Sequence, residues 1–181
     1  FVVAQDKSDY FPVKAKSTWV YKVGENTITQ ECTTVSGTGD TKEVKIDTKV
    51  SDKVVASESF SVDKTGVYRT KVNGVEIKPK VKILTLPLPD KDTEWKVDGK
   101  IQEQSLKGTF KQKAAKEKVK TDAGEFDAVV VEGSDFDVAG VKTSVKYWFA
   151  PGKGIVKLTY NIAGNEAVLV LKEHKEGGAK N

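Results

Sequence analysis

One cysteine, one histidine, one arginine and no methionine occur among the 181 residues. The lone Cys32 excludes an intrachain disulfide framework and any multi-cysteine zinc site. It lies mid-sequence, in Gln30-Glu31-Cys32-Thr33, and reads as a half-buried strand residue rather than a lipid-anchored N-terminal cysteine. The lone His174 excludes a histidine-rich metal centre. It stands in Leu171-Lys172-Glu173-His174-Lys175, at the end of the last apolar segment, and reads as solvated. No Gly-x-Ser-x-Gly elbow supplies a nucleophile for it, and no phosphate-cradling or dinucleotide-binding glycine loop is present. The expectation is therefore a protein that is not an enzyme, with no cofactor and no metal. A hydrolase stands as a distant third reading.

Two further absences narrow the partners. No apolar run approaches the ~20 residues of a transmembrane helix, so the chain is not expected to span a membrane. Every basic residue except Arg69 is lysine. Phosphate and base-edge recognition favour the planar arginine fork, so nucleic acid is not an expected partner. Arg69, alone in Val67–Lys71, is read as a surface residue. Lys and Arg together number 30 against 26 acids, giving a net charge of +4 spread along the chain.

What the chain does have is alternation. Val44, Ile46, Thr48 and Val50 fall on one face of a strand and Glu43, Lys45, Asp47 and Lys49 on the other. Trp19, Tyr21 and Val23 repeat the pattern early. Val141, Val145, Tyr147 and Phe149 repeat it late, opposite Lys142 and Lys146. A period of two marks antiparallel strands with one buried and one wet face. Phe126–Val131 and Ala167–Leu171 are apolar on both faces and predict strands covered on both sides.

Turn signals separate these runs, at Gly24-Glu25-Asn26, Gly37–Asp40, Asp63–Gly66, Asn73-Gly74, Asp98-Gly99, Asp122–Gly124, Ala150–Gly154 and Gly164-Asn165. The segment 110–120 reads as strand with a bulge at Ala114-Ala115, a short helix being the alternative. Asp135 and Asp137 read as a solvated edge, short of the six to eight oxygens that calcium takes.

The fold class is thus all-β, with roughly nine to eleven hairpin-connected strands and few or no helices. A sheet of that size curls strongly, into a half-barrel or open barrel. Residues 1–4 carry small side chains at Val2 and Ala4 and read as a signal-peptide remnant. Residues 5–174 form one β domain and 175–181 a flexible tail. Val81–Pro89 is apolar and extended, but Pro87 and Pro89 cannot donate to a ladder, so it must cover a core edge or line a cavity mouth. Trp148, on the lysine-bearing face, covers a lysine stem or a neighbouring strand, or marks a contact surface.

Three stretches carry a resemblance. They are Tyr10-Phe11-Pro12-Val13 followed by Trp19-Val20-Tyr21, then Glu117–Ala128 with its Ala123-Gly124-Glu125-Phe126-Asp127-Ala128 turn and strand, and Tyr147-Trp148-Phe149-Ala150-Pro151-Gly152-Lys153-Gly154-Ile155-Val156-Lys157. The chain resembles a group of uncharacterised exported bacterial β-proteins, similar in outline to the lipoprotein carriers LolA and LolB. That resemblance implies a curved sheet around an apolar cavity and an exported, periplasmic or extracellular location. It carries no catalytic residue. The expected role is binding an apolar or acylated ligand, or a lipoprotein or other envelope protein, in the concave face. The lining candidates are Trp19, Tyr21, Val44, Ile46, Phe60, Leu84, Leu86, Tyr147 and Phe149. The alternative is an envelope assembly module with a filled interior and no ligand.

Overall fold

The computed structural model describes residues 10–178. Residues 1–4, read above as a signal remnant, lie outside them. Thirteen strands follow one another with no helix among the described residues. They are β1 (Thr18–Val23), β2 (Asn26–Ser36), β3 (Lys42–Val50), β4 (Lys53–Asp63), β5 (Gly66–Val72), β6 (Val75–Thr85) and β7 (Thr93–Ile101). Then come β8 (Gln104–Gln112), β9 (Glu117–Thr121), β10 (Gly124–Val138), β11 (Val141–Ala150), β12 (Gly154–Ile162) and β13 (Asn165–Lys175).

Every pairing is antiparallel. β13 pairs with β1, and β10 pairs with both β8 and β11, so twelve strands close on themselves and β9 is left over. The curvature expected from the sequence continues to full closure, which removes free edges from the wall. β9 pairs with the first part of β10, from Gly124 to Ala128, beyond the point where β11 ends. The β9–β10 hairpin therefore overhangs one end of the barrel and leans on β12 and β13. The segment 110–120 is strand, as expected. It breaks at 113–116 into two strands on one edge of β10 instead of bulging within one.

Consecutive antiparallel strands place alternate connections at opposite ends. One end holds six two-residue hairpins, at 24–25, 51–52, 73–74, 102–103, 139–140 and 163–164. Ser51, Asp52, Gln102, Ala139 and Ala163 there take positive φ, which their sequence does not advertise. Asp98-Gly99, read as a turn, lies inside β7. Its glycine serves contact instead, because a Cβ at Gly99 would stand 2.9 Å from the Lys78 carbonyl oxygen. The opposite end carries the longer connections 37–41, 86–92 and 113–116, together with the segment Tyr10–Ser17.

The wall has one short ladder. β6 and β7 pair only at Ile77↔Ile101 and Lys78↔Lys100. Pro79 follows, with no N–H to continue. Side chains stitch the rest. Trp95 Nε1 donates to the Lys82 carbonyl at 3.0 Å. The fully buried Gln112 amide accepts from Thr85 N at 2.8 Å and donates to Thr85 O at 3.2 Å, copying a backbone pair.

The outer wall is charged. Along β7, Glu94, Lys96, Asp98 and Lys100 are exposed and alternate with Trp95, Val97, Gly99 and Ile101. This is the inverse of a lipid-spanning barrel, whose outer face is an apolar band. No helix of the described residues is long and apolar enough to cross a membrane.

Candidate functional site

An eight-stranded barrel is about as wide as its own inward side chains can fill. Twelve strands enclose more, so the interior must hold bulk from elsewhere or stay hollow. This barrel does both, one at each end.

The end with the long connections is filled. Tyr10, Phe11 and Val13 keep 2%, 5% and 7% of their surface and insert between the strands. The Phe11 and Phe60 ring centroids stand 5.3 Å apart. Trp19 Nε1 donates to the Lys153 carbonyl at 2.7 Å, and Tyr21 Oη donates to the Ile155 carbonyl at 2.8 Å, fixing both rings against the β11–β12 turn. Burial raises the Tyr21 phenol pKa well above its usual value. His174 stacks on Trp19 at 5.2 Å, half-buried in this layer rather than solvated. The last strand runs on to Lys175, and Gly177 N donates to Ser17 Oγ at 2.9 Å, so the chain stays tied past residue 174. The gap among Phe11, Trp19, Tyr21 and Phe60 holds only about 40 Å³.

The end with the tight hairpins is hollow. A chamber of about 540 Å³ opens there, within the range of small-molecule sites. Its walls are Leu106, Phe110, Phe136, Val145, Leu158 and Leu169, and its rim is Val50, Val55, Val72, Ile101, Val138 and Ile162. Val50, Val55 and Ile162 are exposed. A bulge in β10 builds one wall. The register against β11 shifts between Gly133 and Phe136, which turns Phe136 and Val138 inward and leaves Asp135 and Asp137 outside. Without it, the two aspartates would point into the chamber. Asp137 instead accepts from Gly140 N at 2.7 Å and Lys142 Nζ at 3.2 Å. Gly108 and Gly133 make room for the Phe136 ring, since a Cβ on either would come within 2.8 Å of it.

Between the halves lies a polar layer of Gln30, Glu58, Arg69 and Tyr147, which touches the chamber and the small gap alike. Arg69 Nη2 donates to Glu58 Oε1 at 2.8 Å and to Tyr147 Oη at 3.0 Å. The guanidinium carbon stands 5.9 Å from the Phe60 ring centroid. Burial works against the charge, but Glu58 and Tyr147 together outweigh it and hold the guanidinium pKa above its usual value. Burial raises the Tyr147 pKa, and Arg69 offsets only part of that. Arg69 Nε is buried and has no hydrogen-bond partner among the described residues.

The reading of Arg69 as a surface residue is thus corrected. It shares strand parity with Val67, which is fully buried, and that parity carries it inward. Glu58 was likewise missed. Its parity with the inward Phe60 marks it, but a lone carboxylate in a strand looks solvated until its partner is found.

The nine sequence candidates are distributed unevenly. Trp19, Tyr21, Ile46 and Phe60 pack the filled half and touch the small gap. Val44, Leu84, Leu86 and Phe149 are buried core that borders neither space. Tyr147 alone reaches the chamber. Within Val81–Pro89, Val81 lines the chamber, while Leu84 and Leu86 cover the core at the filled end, where Leu86 N donates to Thr65 O, so the proline-bearing stretch is not the mouth. Trp148 lies on the outer face, donates to Glu117 of β9 at 2.9 Å, and is flanked by Lys146 and Lys157 at 4.6 and 4.7 Å.

No family model matches the chain, and no curated protein does. Two solved structures share its fold. One is a presumed lipoprotein from Parabacteroides distasonis, 17% identical, with a TM-score of 0.56 over 94% of this chain and all of that one. The other is a presumed exported protein with a YmcC-like fold from Bacteroides fragilis, 14% identical, with a TM-score of 0.55 over 92% of this chain and 98% of that one. Neither is described as a lipoprotein carrier of the LolA or LolB kind.

Proposed function

We propose that this barrel is a non-enzymatic protein of the bacterial envelope that holds an apolar ligand in its open half. The observation that carries the reading is the chamber of about 540 Å³, walled by Phe110, Phe136, Leu158 and Leu169 and open through an apolar rim. A hollow apolar interior forgoes packing contacts worth several kcal/mol, and an occupant restores them. An assembly module without a ligand would be expected to fill that space. The two structural neighbours, described as exported and as a lipoprotein, support an envelope location.

The test is uptake of N-phenyl-1-naphthylamine, an uncharged dye that brightens in apolar surroundings, alongside native mass spectrometry of protein purified without detergent. Saturable dye binding is expected, and an extractable lipid mass where the natural ligand survives purification. Val138→Asp places a carboxylate at the inner rim and should weaken uptake by tenfold or more. Dye binding that is absent from the wild type, or unchanged by V138D, would overturn the chamber as the site.

A further inference from the structure

The polar layer at the chamber floor says which end of a ligand goes in first. Three facts combine. Arg69 lines the chamber, and its side chain keeps 28% of its surface, so the guanidinium reaches that space. Tyr147 Oη already accepts from Arg69 Nη2, so its own O–H proton is free to be given away. Glu58 pairs with the same guanidinium at 2.8 Å, so the layer as a whole is neutral. The floor thus offers hydrogen-bond donors without net positive charge. The rim is the reverse, apolar and exposed at Val50, Val55 and Ile162.

We propose that the occupant is an acyl chain bound head-first, with an uncharged carbonyl, ester or amide, at the Arg69–Tyr147 donors and its hydrocarbon running out through the valine and isoleucine rim. This rests on the chamber being a ligand site. A buried donor left without an acceptor costs free energy that a carbonyl oxygen recovers. A carboxylate head would also meet the donors, but it would enter a partly buried site already holding the Glu58 charge, and like charges brought together there repel. A headless hydrocarbon would leave both donors unmet. The floor therefore selects for a carbonyl and against a free acid.

The experiment displaces N-phenyl-1-naphthylamine from the full chain at neutral pH with methyl laurate, laurate and dodecane. Methyl laurate is expected to bind about tenfold more tightly than either of the others, the equivalent of about 1.4 kcal/mol. Glu58→Gln removes the competing charge and leaves Arg69 unopposed, so laurate should overtake the ester. Tyr147→Phe keeps the ring and removes the donor, so the ester's advantage over dodecane should shrink. A cooperative urea transition reports that each variant is folded. Laurate binding as well as the ester to the wild type, dodecane equalling the ester, or an order unchanged by E58Q would each overturn the head assignment with the chamber intact. A wild type that takes up no dye would overturn the chamber reading itself.

Discussion

The two ends of this barrel are made from the same strands and behave as opposites. At one end the wall is closed by inserted chain, with Phe11 on Phe60 and the Trp19 and Tyr21 donors pinned to the β11–β12 turn. At the other, six two-residue hairpins bring strand pairs to a neat edge and contribute nothing that could cross the opening. Tight hairpins have no side chains to spare for a plug; long connections do. The inserted Tyr10–Val13 segment, with Leu86 of the 86–92 connection, thus decides which half is core and which is chamber, and the Arg69–Glu58 pair marks the boundary.

The sharpest way to break the contrast is a carboxylate on each side of it. Leu86→Asp buries an unpaired charge in the filled end, where Leu86 is 4% exposed. Loss of the fold is expected, since such a charge costs several kcal/mol. Ile162→Asp at the rim should shift stability by no more than about 0.5 kcal/mol. Urea midpoints measure both, and equal tolerance of the two would dissolve the distinction. Next in size, Phe60→Ala removes the partner of Phe11 and should cost about 3–5 kcal/mol by the same measurement.

The boundary itself comes third. Arg69→Met strands Glu58 and should destabilise by about 3 kcal/mol, the low end for a broken buried pair, because the Arg69 and Glu58 side chains keep 28% and 25% of their surface. Removing Glu58 as well, in R69M/E58L, should return most of that. A double variant no more stable than R69M would mean that the pair is not what ties the layer together.

Much of the wall was legible in advance. Period-two alternation located the strands around Trp19, Val44 and Tyr147, and Asn73-Gly74 and Gly164-Asn165 announced their hairpins. Closure was not legible, because the β10–β11 and β13–β1 contacts that make a ring depend on strand count and stagger rather than on any local residue. Parity placed only part of the nine candidates, Leu84 and Leu86 coming from the proline-bearing cover segment, and all nine are buried. It could not say which half they would occupy, since depth along a barrel is set by register and not by face. The bulge at Gly133–Phe136 hid Phe136 and Val138 for the same reason: one extra residue reverses the parity of everything after it. Arg69 was misread because its partners, Glu58 and Tyr147, lie on other strands, and nothing within Val67–Lys71 shows them.

Chemical access sharpens the contrast further. Cys32 is fully buried, and burial together with Glu31 pushes its thiol up to about 11. A cysteine placed at Val55, which is 58% exposed on the rim, should ionise near the ordinary value of about 8.5. In V55C, a disulfide reagent at pH about 8 should show two phases separated on the order of a hundredfold in rate, from thiolate fraction alone. A single fast phase would mean that the wall around β2 opens as readily as the rim.

The smallest effect lies in pH. His174, stacked on Trp19 in the filled end, has its pKa lowered, first by burial and then by Lys153. Its neutral form is the one the fold prefers, so the unfolded chain binds the proton more readily. Stability from this group is present above the unfolded value of about 6.5 and is lost as pH falls below it towards the folded pKa. Glu117 and Glu132 are also lowered, by Trp148 and Lys146 respectively as the leading causes, with Lys113 assisting both. Their contribution is present above about 4.3 and is lost only as pH falls through the folded pKa values below that. The two windows do not coincide, so they can be separated. Urea midpoints between pH about 7 and about 5 should decline slightly in the wild type and stay level in His174→Gln, while both proteins should fall together below about 4. If H174Q keeps the upper decline, the titrating group lies elsewhere, and the filled end is not where acid first loosens the barrel.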